Sequence, residues 1–479
     1  MVGAGRMRRP ASYWIDAWAC NRVLLSDRLC DWIDMTNVFY RELKSDLPVA
    51  VAGDGIYLID ADGKRYLDAS GGAAVSCLGH SDADVIQAIK DQADKLAFAH
   101  TGFFTTEPAE KLAEFLIDAA PDGIGMVYFL SGGSEAVEAA LKMARQYCLE
   151  TGQPERTKFI ARRQSYHGNT LGALSVGGNV WRREPYKEML MPVSHIAPCY
   201  PYREMRDGET EEDYGLRVAN ELEAEIERLG PRNVCAFIAE TVGGATAGVL
   251  APVPGYFKRI REICDKYGVL MILDEVMSGM GRTGTLFACE QDGVSPDIVC
   301  IAKGLGAGYQ PIGATLVSDE VYRAFKEGSG AFQHGHTYMG HPVACAAALA
   351  VQRKVRDTGL LDNVKAMGTA LDAELHDRLG DHPHVGDIRG RGLFRGIELV
   401  ADRASKETLN PTLRIHARIK KAAFARGLIC YPSGGTADGA RGDHILLAPP
   451  FIIDMTQVKE LVQILGEAID QTLKDAGIT

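Results

Sequence analysis

Five short β-rich runs, each ending in a residue equipped for chemistry, constrain this chain more than any other feature. Met126–Leu130 runs into Ser131-Gly132-Gly133-Ser134-Glu135, and Lys158–Ala161 leads to Ser165-Tyr166-His167-Gly168. Cys235–Ala239 ends in Glu240, Val269–Leu273 ends in Asp274-Glu275, and Asp297–Ala302 ends in Lys303. Helical patterns fall between several of them, over Ser134–Leu149, Tyr214–Arg228 and Tyr256–Tyr267. That alternation predicts an α/β fold around a largely parallel sheet. In open sheets of this kind, ligands bind beyond the carboxyl ends of the strands. One such ending is ordinary; five on one edge predict a single site.

Each ending suggests a task. Ser131 to Ser134 joins a strand to a helix, where two glycines let a ligand approach and unpaired N–H groups favour an anion. It is a phosphate cradle without the Lys of a P-loop, or else a tight turn in which Ser134 caps the helix. Lys303 follows an apolar run and precedes Gly304-Leu305-Gly306. It is either a strand-end surface lysine or a buried amine with a depressed pKa, able to form a Schiff base. Asp274 ends another apolar strand and is placed to hold a ring nitrogen protonated. Anion cradle, Schiff-base Lys and ring-holding Asp are together the requirements of pyridoxal phosphate.

Composition narrows the partners. With 52 Lys and Arg against 63 Asp and Glu, the formal net charge is −11, which argues against nucleic acid as a main partner. The longest apolar stretch, Pro342 to Val351, is far shorter than the roughly 20 residues of a membrane span. The 11 cysteines are scattered without a CxxC pair, which predicts a reducing, cytoplasmic setting and no structural zinc. His334-Gly335-His336 resembles a metal pair, but no acidic or Cys cluster supports it, so no metal is expected. The chain has room for two or three lobes around a sizeable core. Residues 1–34, with Trp14, Trp18, Trp32 and the patch Arg6, Arg8, Arg9, are expected to be a disordered or mis-assigned extension, or a short docking helix, with Met35 a candidate start. Asp54-Gly55 and Asp62-Gly63 bracket the strand-like Ile56–Ile59 and predict a hairpin. Beyond Pro342 come a long helical pattern to Lys354, a Gly-rich strand region Asp387–Val400 and a final helix near Met455–Lys474.

Taken together, Ser131-Gly132-Gly133-Ser134-Glu135-Ala136, Tyr166-His167-Gly168, Asp274-Glu275-Val276, Gly281-Arg282-Thr283-Gly284, Lys303-Gly304-Leu305 and Thr337-Tyr338 with His341-Pro342 closely resemble class III aminotransferases. The likeness runs from about Val49 to the C-terminus. It implies a fold-type I enzyme: a large domain with a mainly parallel sheet covered by helices, and a smaller α+β domain from N- and C-terminal segments. The corresponding boundaries are 35–85 and 342–479 for the small domain and 86–341 for the large one.

The resemblance also implies roles. Lys303 would hold pyridoxal phosphate and shuttle the proton, and Asp274 would pair with the ring nitrogen. Gly133 and Ser134 would hold the phosphate, with Tyr166 and Val276 on the two ring faces. Glu240 would orient the substrate side. Thr337 would reach the phosphate of a neighbouring subunit, implying a homodimer or a dimer of dimers. Met277, where many relatives have Gln, looks more like the branch that passes amino groups from amines or ω-amino acids to a 2-oxo acid, with pyruvate the expected acceptor. Arg441, in a loop from Ser433 to Gly442, is a candidate for the substrate carboxylate. Ala74 stands where amine-accepting relatives carry a bulky aromatic, so it either enlarges the donor pocket or packs at a dimer contact. Decarboxylation, an intramolecular amino shift and a catalytically silent cofactor-binding protein are the alternatives on the same fold.

Overall fold

The computed structural model describes residues 36–478. The extension expected over residues 1–34, Cys20 and Cys30 lie outside them. The described chain divides into two compact units, a small one of residues 36–52 and 59–65 and a large one of residues 53–58 and 66–478. Within the small unit, the Asp60 carboxylate accepts from the backbone N–H of Asp62 at 3.0 Å and of Lys64 at 2.9 Å. Gly63 there takes φ +80°, which agrees with the turn read from Asp62-Gly63.

The large unit is built on a seven-stranded sheet. Its strands are β1 (Ile124–Leu130), β2 (Lys158–Arg162), β3 (Ser194–Ile196), β4 (Val234–Glu240), β5 (Leu270–Asp274), β6 (Ile298–Ile301) and β7 (Gly313–Ser318). The spatial order is β1-β7-β6-β5-β4-β2-β3. Strands β6, β5, β4, β2 and β3 run parallel, while β7 is antiparallel to both β6 and β1. All five runs singled out in the sequence therefore point the same way. The alternation of patterns did not reveal β7, which is reversed, or β3, which is only three residues long. Strands β4, β5 and β6 are buried along their whole length, as expected of central strands covered on both faces.

Helices cover this sheet close to where the sequence placed them. Helix α1 (Gly133–Glu150) buries Ala136, Val137, Ala140, Leu141, Ala144 and Cys148, a stripe with helical spacing. Helices α2 (Glu211–Leu229) and α3 (Tyr256–Tyr267) match the other two patterns. Further on, α4 (Pro342–Asp357) and α5 (Leu360–Leu379) precede a four-stranded antiparallel sheet. Its strands are β8 (Val385–Arg391), β9 (Phe394–Leu399), β10 (Tyr431–Gly434) and β11 (Asp443–Leu447), in the order β8-β9-β11-β10. Helix α6 (Met455–Asp475) closes the chain. Among the described residues, no helix is long and apolar enough to cross a membrane. The nine described cysteines are free and buried.

Strand β7 also anchors the helix that begins at the glycine-rich turn. Thr315 is fully buried, and its hydroxyl donates to the Ala136 carbonyl at 2.8 Å. Thr315→Val keeps the shape but removes the donor, so it should cost about 1–2 kcal/mol. A lowered urea midpoint with unchanged circular dichroism is the expected result.

Candidate active site

Sheet register aligns the reactive side chains. Glu240 on β4 stands opposite Asp274 on β5, and Asp274 stands opposite Cys300 on β6, three residues before Lys303. Seven residues anticipated from the sequence, Gly133, Ser134, Tyr166, Glu240, Asp274, Val276 and Lys303, line one cleft. His167, Gly168, Val242 and Met277 complete its wall.

The anion-binding corner lies at the start of α1. Gly132 caps the helix without any side-chain hydrogen bond, so the N–H groups of the first turn have no intrahelical acceptor. Ser134 does not cap; its hydroxyl oxygen accepts from the Asn169 N–H at 3.0 Å. Glycine is required on both sides of this corner. A Cβ on Gly133 would lie 2.8 Å from Val276, and one on Gly168, at φ +135°, would lie 2.6 Å from the Ser134 hydroxyl.

Asp274 is buried and doubly tethered. His167 Nδ1 lies 2.8 Å from one carboxylate oxygen, and the Val276 N–H donates to the other at 2.9 Å. His167 is completely buried, and its Nε2 has no hydrogen-bond partner. The sequence offered His167 only as part of Tyr-His-Gly; its place at a strand end was the available signal. Behind Asp274, Glu275 accepts from Thr241 at 2.9 Å and from the N–H groups of Ala288 and Cys289 at 2.7 and 2.8 Å. Burial pushes its carboxyl up to about 7. Glu240 is likewise raised by burial, and it accepts from the Gly244 N–H at 2.9 Å and the Tyr166 N–H at 3.2 Å.

Lys303 is the buried amine of the cleft. Desolvation lowers its pKa from 10.5 to about 8, against the pull of Asp274 and Glu240, while the Arg282 guanidinium adds to the lowering. Arg282 is itself buried, donating to the carbonyls of Leu393 and Pro449 at 3.1 and 2.6 Å.

Three anticipated residues lie off the cleft wall. Ala74 is buried one layer behind it, in a cluster with Val242, Met277 and Phe394. It closes a left-handed turn, with Gly71, Gly72, Ala73 and Ala74 at φ +55°, +60°, +72° and +65°. Thr337 is exposed. Arg441 is exposed as well, and its guanidinium pairs with Asp438 of the same loop at 2.7 Å. Conversely, Arg182 went unnoticed in the sequence: its guanidinium lies 4.9 Å from the centre of the Tyr166 ring and 4.8 Å from that of Trp181. His334 and His336 stack edge to face at 4.9 Å; His334 Nδ1 meets Lys142 at 3.0 Å and His336 Nδ1 lies 4.0 Å from Glu135.

Comparison with known proteins agrees with this architecture. The family described as Aminotransferase class-III matches residues 41–469. An uncharacterized aminotransferase of Schizosaccharomyces pombe is 49% identical over 437 residues, covering 91% of this chain and 95% of that protein. The putrescine–pyruvate aminotransferase of Pseudomonas aeruginosa is 36% identical, covering 88% and 91%. Among solved structures, an (S)-enantioselective omega-transaminase from Thermomicrobium roseum has a TM-score of 0.85 at 37% identity, covering 94% of this chain and 98% of that one. The omega transaminase of Pseudomonas jessenii in complex with PMP has a TM-score of 0.86 at 33% identity, covering 93% and 98%. The fold is therefore that of a fold-type I transferase, and the chain belongs to the class III aminotransferase family. It is an enzyme of amino-group transfer, in a family that uses pyridoxal phosphate and acts on small-molecule amines and keto acids.

The depressed pKa of Lys303 has a sign that can be tested. Between about 8 and 10.5, the cofactor-free folded chain has lost this proton while the unfolded chain still binds it, so stability rises with pH across that window. Below it, burying the charged amine costs about 3 kcal/mol. Lys303→Met should stabilise the cofactor-free protein most at neutral pH and least near the top of the window, as read from urea midpoints of the two proteins at each pH.

Proposed function

We propose that this enzyme moves an amino group from an amine or ω-amino acid to a 2-oxo acid, with pyruvate as acceptor, in two half-reactions on one pyridoxal phosphate. The observation that carries the reading is the meeting of a buried Lys303 with Asp274 and Glu240 in the cleft that begins at the helix α1 N-terminus. The residues present suit that cofactor. Exposed N–H groups at a helix start suit a phosphate, the tethered Asp274 carboxylate suits a ring nitrogen, and Lys303 is a buried primary amine. When bound, pyridoxal phosphate supplies an aldehyde that condenses with amines and a ring that takes up the electrons released with the donor's proton.

The chain's own residues do the rest. Gly133 and Ser134 would hold the phosphate, Asp274 would keep the ring nitrogen protonated, and His167 fixes the Asp274 carboxylate in place. Tyr166 and Val276, both on the cleft wall, would confine the ring. Lys303 would hold the cofactor through Nζ and, as a free amine, would take up and return the donor's proton. Its depressed pKa suits that alternation near neutral pH. Glu240 orients the substrate side. In a homodimer, Thr337 reaches the phosphate of the neighbouring subunit.

Two features support an amine donor and a small keto-acid acceptor. Val242 and Met277 give the wall an apolar side, and the putrescine–pyruvate aminotransferase is a relative over most of the chain. The acceptor carboxylate needs a cation. Arg182, stacked on the Tyr166 ring and without a carboxylate partner among the described residues, is better placed than Arg441, whose guanidinium is occupied by Asp438.

Amine added alone should convert the cofactor once and then stall until keto acid arrives. Release of CO₂ would instead indicate decarboxylation. Lys303→Ala should lower kcat about ten-thousand-fold, and turnover at the normal rate would remove Lys303 from the mechanism. Arg182→Gln should raise KM for pyruvate about tenfold while leaving KM for a diamine donor unchanged. Steady-state kinetics with each substrate varied in turn checks this.

A further inference from the structure

Lys303 takes φ +45°, a left-handed backbone that a residue with a side chain rarely adopts. Such a conformation persists only where its surroundings over-determine it. Part of the restraint is local, because the N–H groups of Gly306 and Ala307 both donate to the Lys303 carbonyl, at 3.1 and 2.9 Å. The next two carbonyls, those of Gly304 and Leu305, are held from outside the turn. Both accept from one group, Gln352 Nε2, at 2.8 and 3.0 Å.

Gln352 belongs to α4, remote in sequence from the turn, and none of its surface reaches solvent. Its neighbours along the helix, Val351 and Val355, are equally buried in the apolar core. A polar amide is costly there unless its hydrogen bonds are needed. An apolar side chain such as Met would fill the same space without that cost. Chemistry also fixes the orientation of the amide. With oxygen and nitrogen exchanged, an acceptor would face two carbonyls. The amide is therefore present as a double donor, and both of its recipients immediately follow Lys303.

We propose that Gln352 is a positioning residue for the Lys303 amine: by clamping the Gly304 and Leu305 carbonyls, it maintains the left-handed backbone that aims Nζ into the cleft. The proposal rests on Lys303 as the reacting amine, and it adds a residue that touches neither substrate nor cofactor. Removing the clamp leaves the Lys303 side chain intact but lets its backbone relax. The amine then spends less time in the reactive position, so kcat falls while the binding of donor and acceptor does not change.

The test uses full-length protein with and without pyridoxal phosphate. Gln352→Met keeps the volume and removes both donors; Gln352→Glu keeps the size and, as a carboxylate, cannot donate. Val355→Ala, a cavity in the same helix, controls for loss of packing. In either Gln352 variant, hydrogen exchange at the amides of residues 304–308 should speed up about tenfold or more, even without cofactor. With cofactor, kcat should fall about tenfold with both KM values within twofold of normal, and the pH midpoint of the near-visible absorbance should shift. Val355→Ala should lower the melting temperature without changing exchange at that segment, kcat or the absorbance midpoint. Normal exchange and kcat in the variants, or the same pattern in all three, would overturn the proposal. The exchange result is independent of catalysis, so it separates failure of the clamp from failure of the Lys303 assignment, which Lys303→Ala tests.

Discussion

Keeping one primary amine out of water, yet within reach of a ligand, is the constraint on which this structure depends. A lysine stripped of solvent loses its proton readily, and Lys303 does so at about 8. The same burial would be destabilising if the charged form had no company. Asp274 and Glu240 supply it, offsetting part of the desolvation cost without cancelling the shift. Each of the three groups stands at the end of a different strand. Their separation is therefore set by strand spacing and register, which rigid hydrogen-bond ladders hold far better than loops.

Around that trio, the fold uses backbone geometry where side chains would take up space. The phosphate corner is made of N–H groups, and Gly133 and Gly168 are glycines because a Cβ at either would strike Val276 or Ser134. Left-handed backbone recurs at the edges of the site, at Lys303 and through Gly71 to Ala74. The first is restrained by Gln352, and the second lies against the cluster behind the cleft wall. Strain of this kind is held in place by packing from remote parts of the chain, and that ties the shape of the site to the integrity of α4 and the antiparallel sheet.

The buried polar groups beneath the cleft are graded by how fully they are satisfied. Glu275 has three donors and acts as an anchor for the chain after β5. Arg282 spends one nitrogen on two carbonyls and lies over the Phe451 ring at 4.7 Å. His167 uses one nitrogen on Asp274 and leaves the other unpartnered. Arg282, with Nε and Nη2 both unpartnered, is the least satisfied of the three.

The sequence by itself determined five of the seven strands of the large sheet, the one edge at which chemistry collects, and seven of the residues that line the cleft. These are legible because a buried strand must be apolar throughout, so a Lys, Asp or Glu at its end stands out. Periodicity likewise marked α1, α2 and α3 to within a few residues. Only the tertiary structure revealed the reversed strand β7, whose short apolar run carries no sign of direction. The same holds for the His167–Asp274 contact and for Arg182 on the Tyr166 ring, since neither pairing has a fixed spacing in sequence. Arg441 shows the converse: a plausible cation by position, it is taken up by Asp438 three residues away. Gln352 is the clearest case. In sequence it is one polar residue in an Ala-rich helix, and only the packing of α4 against the turn after Lys303 gives its two N–H groups something to hold.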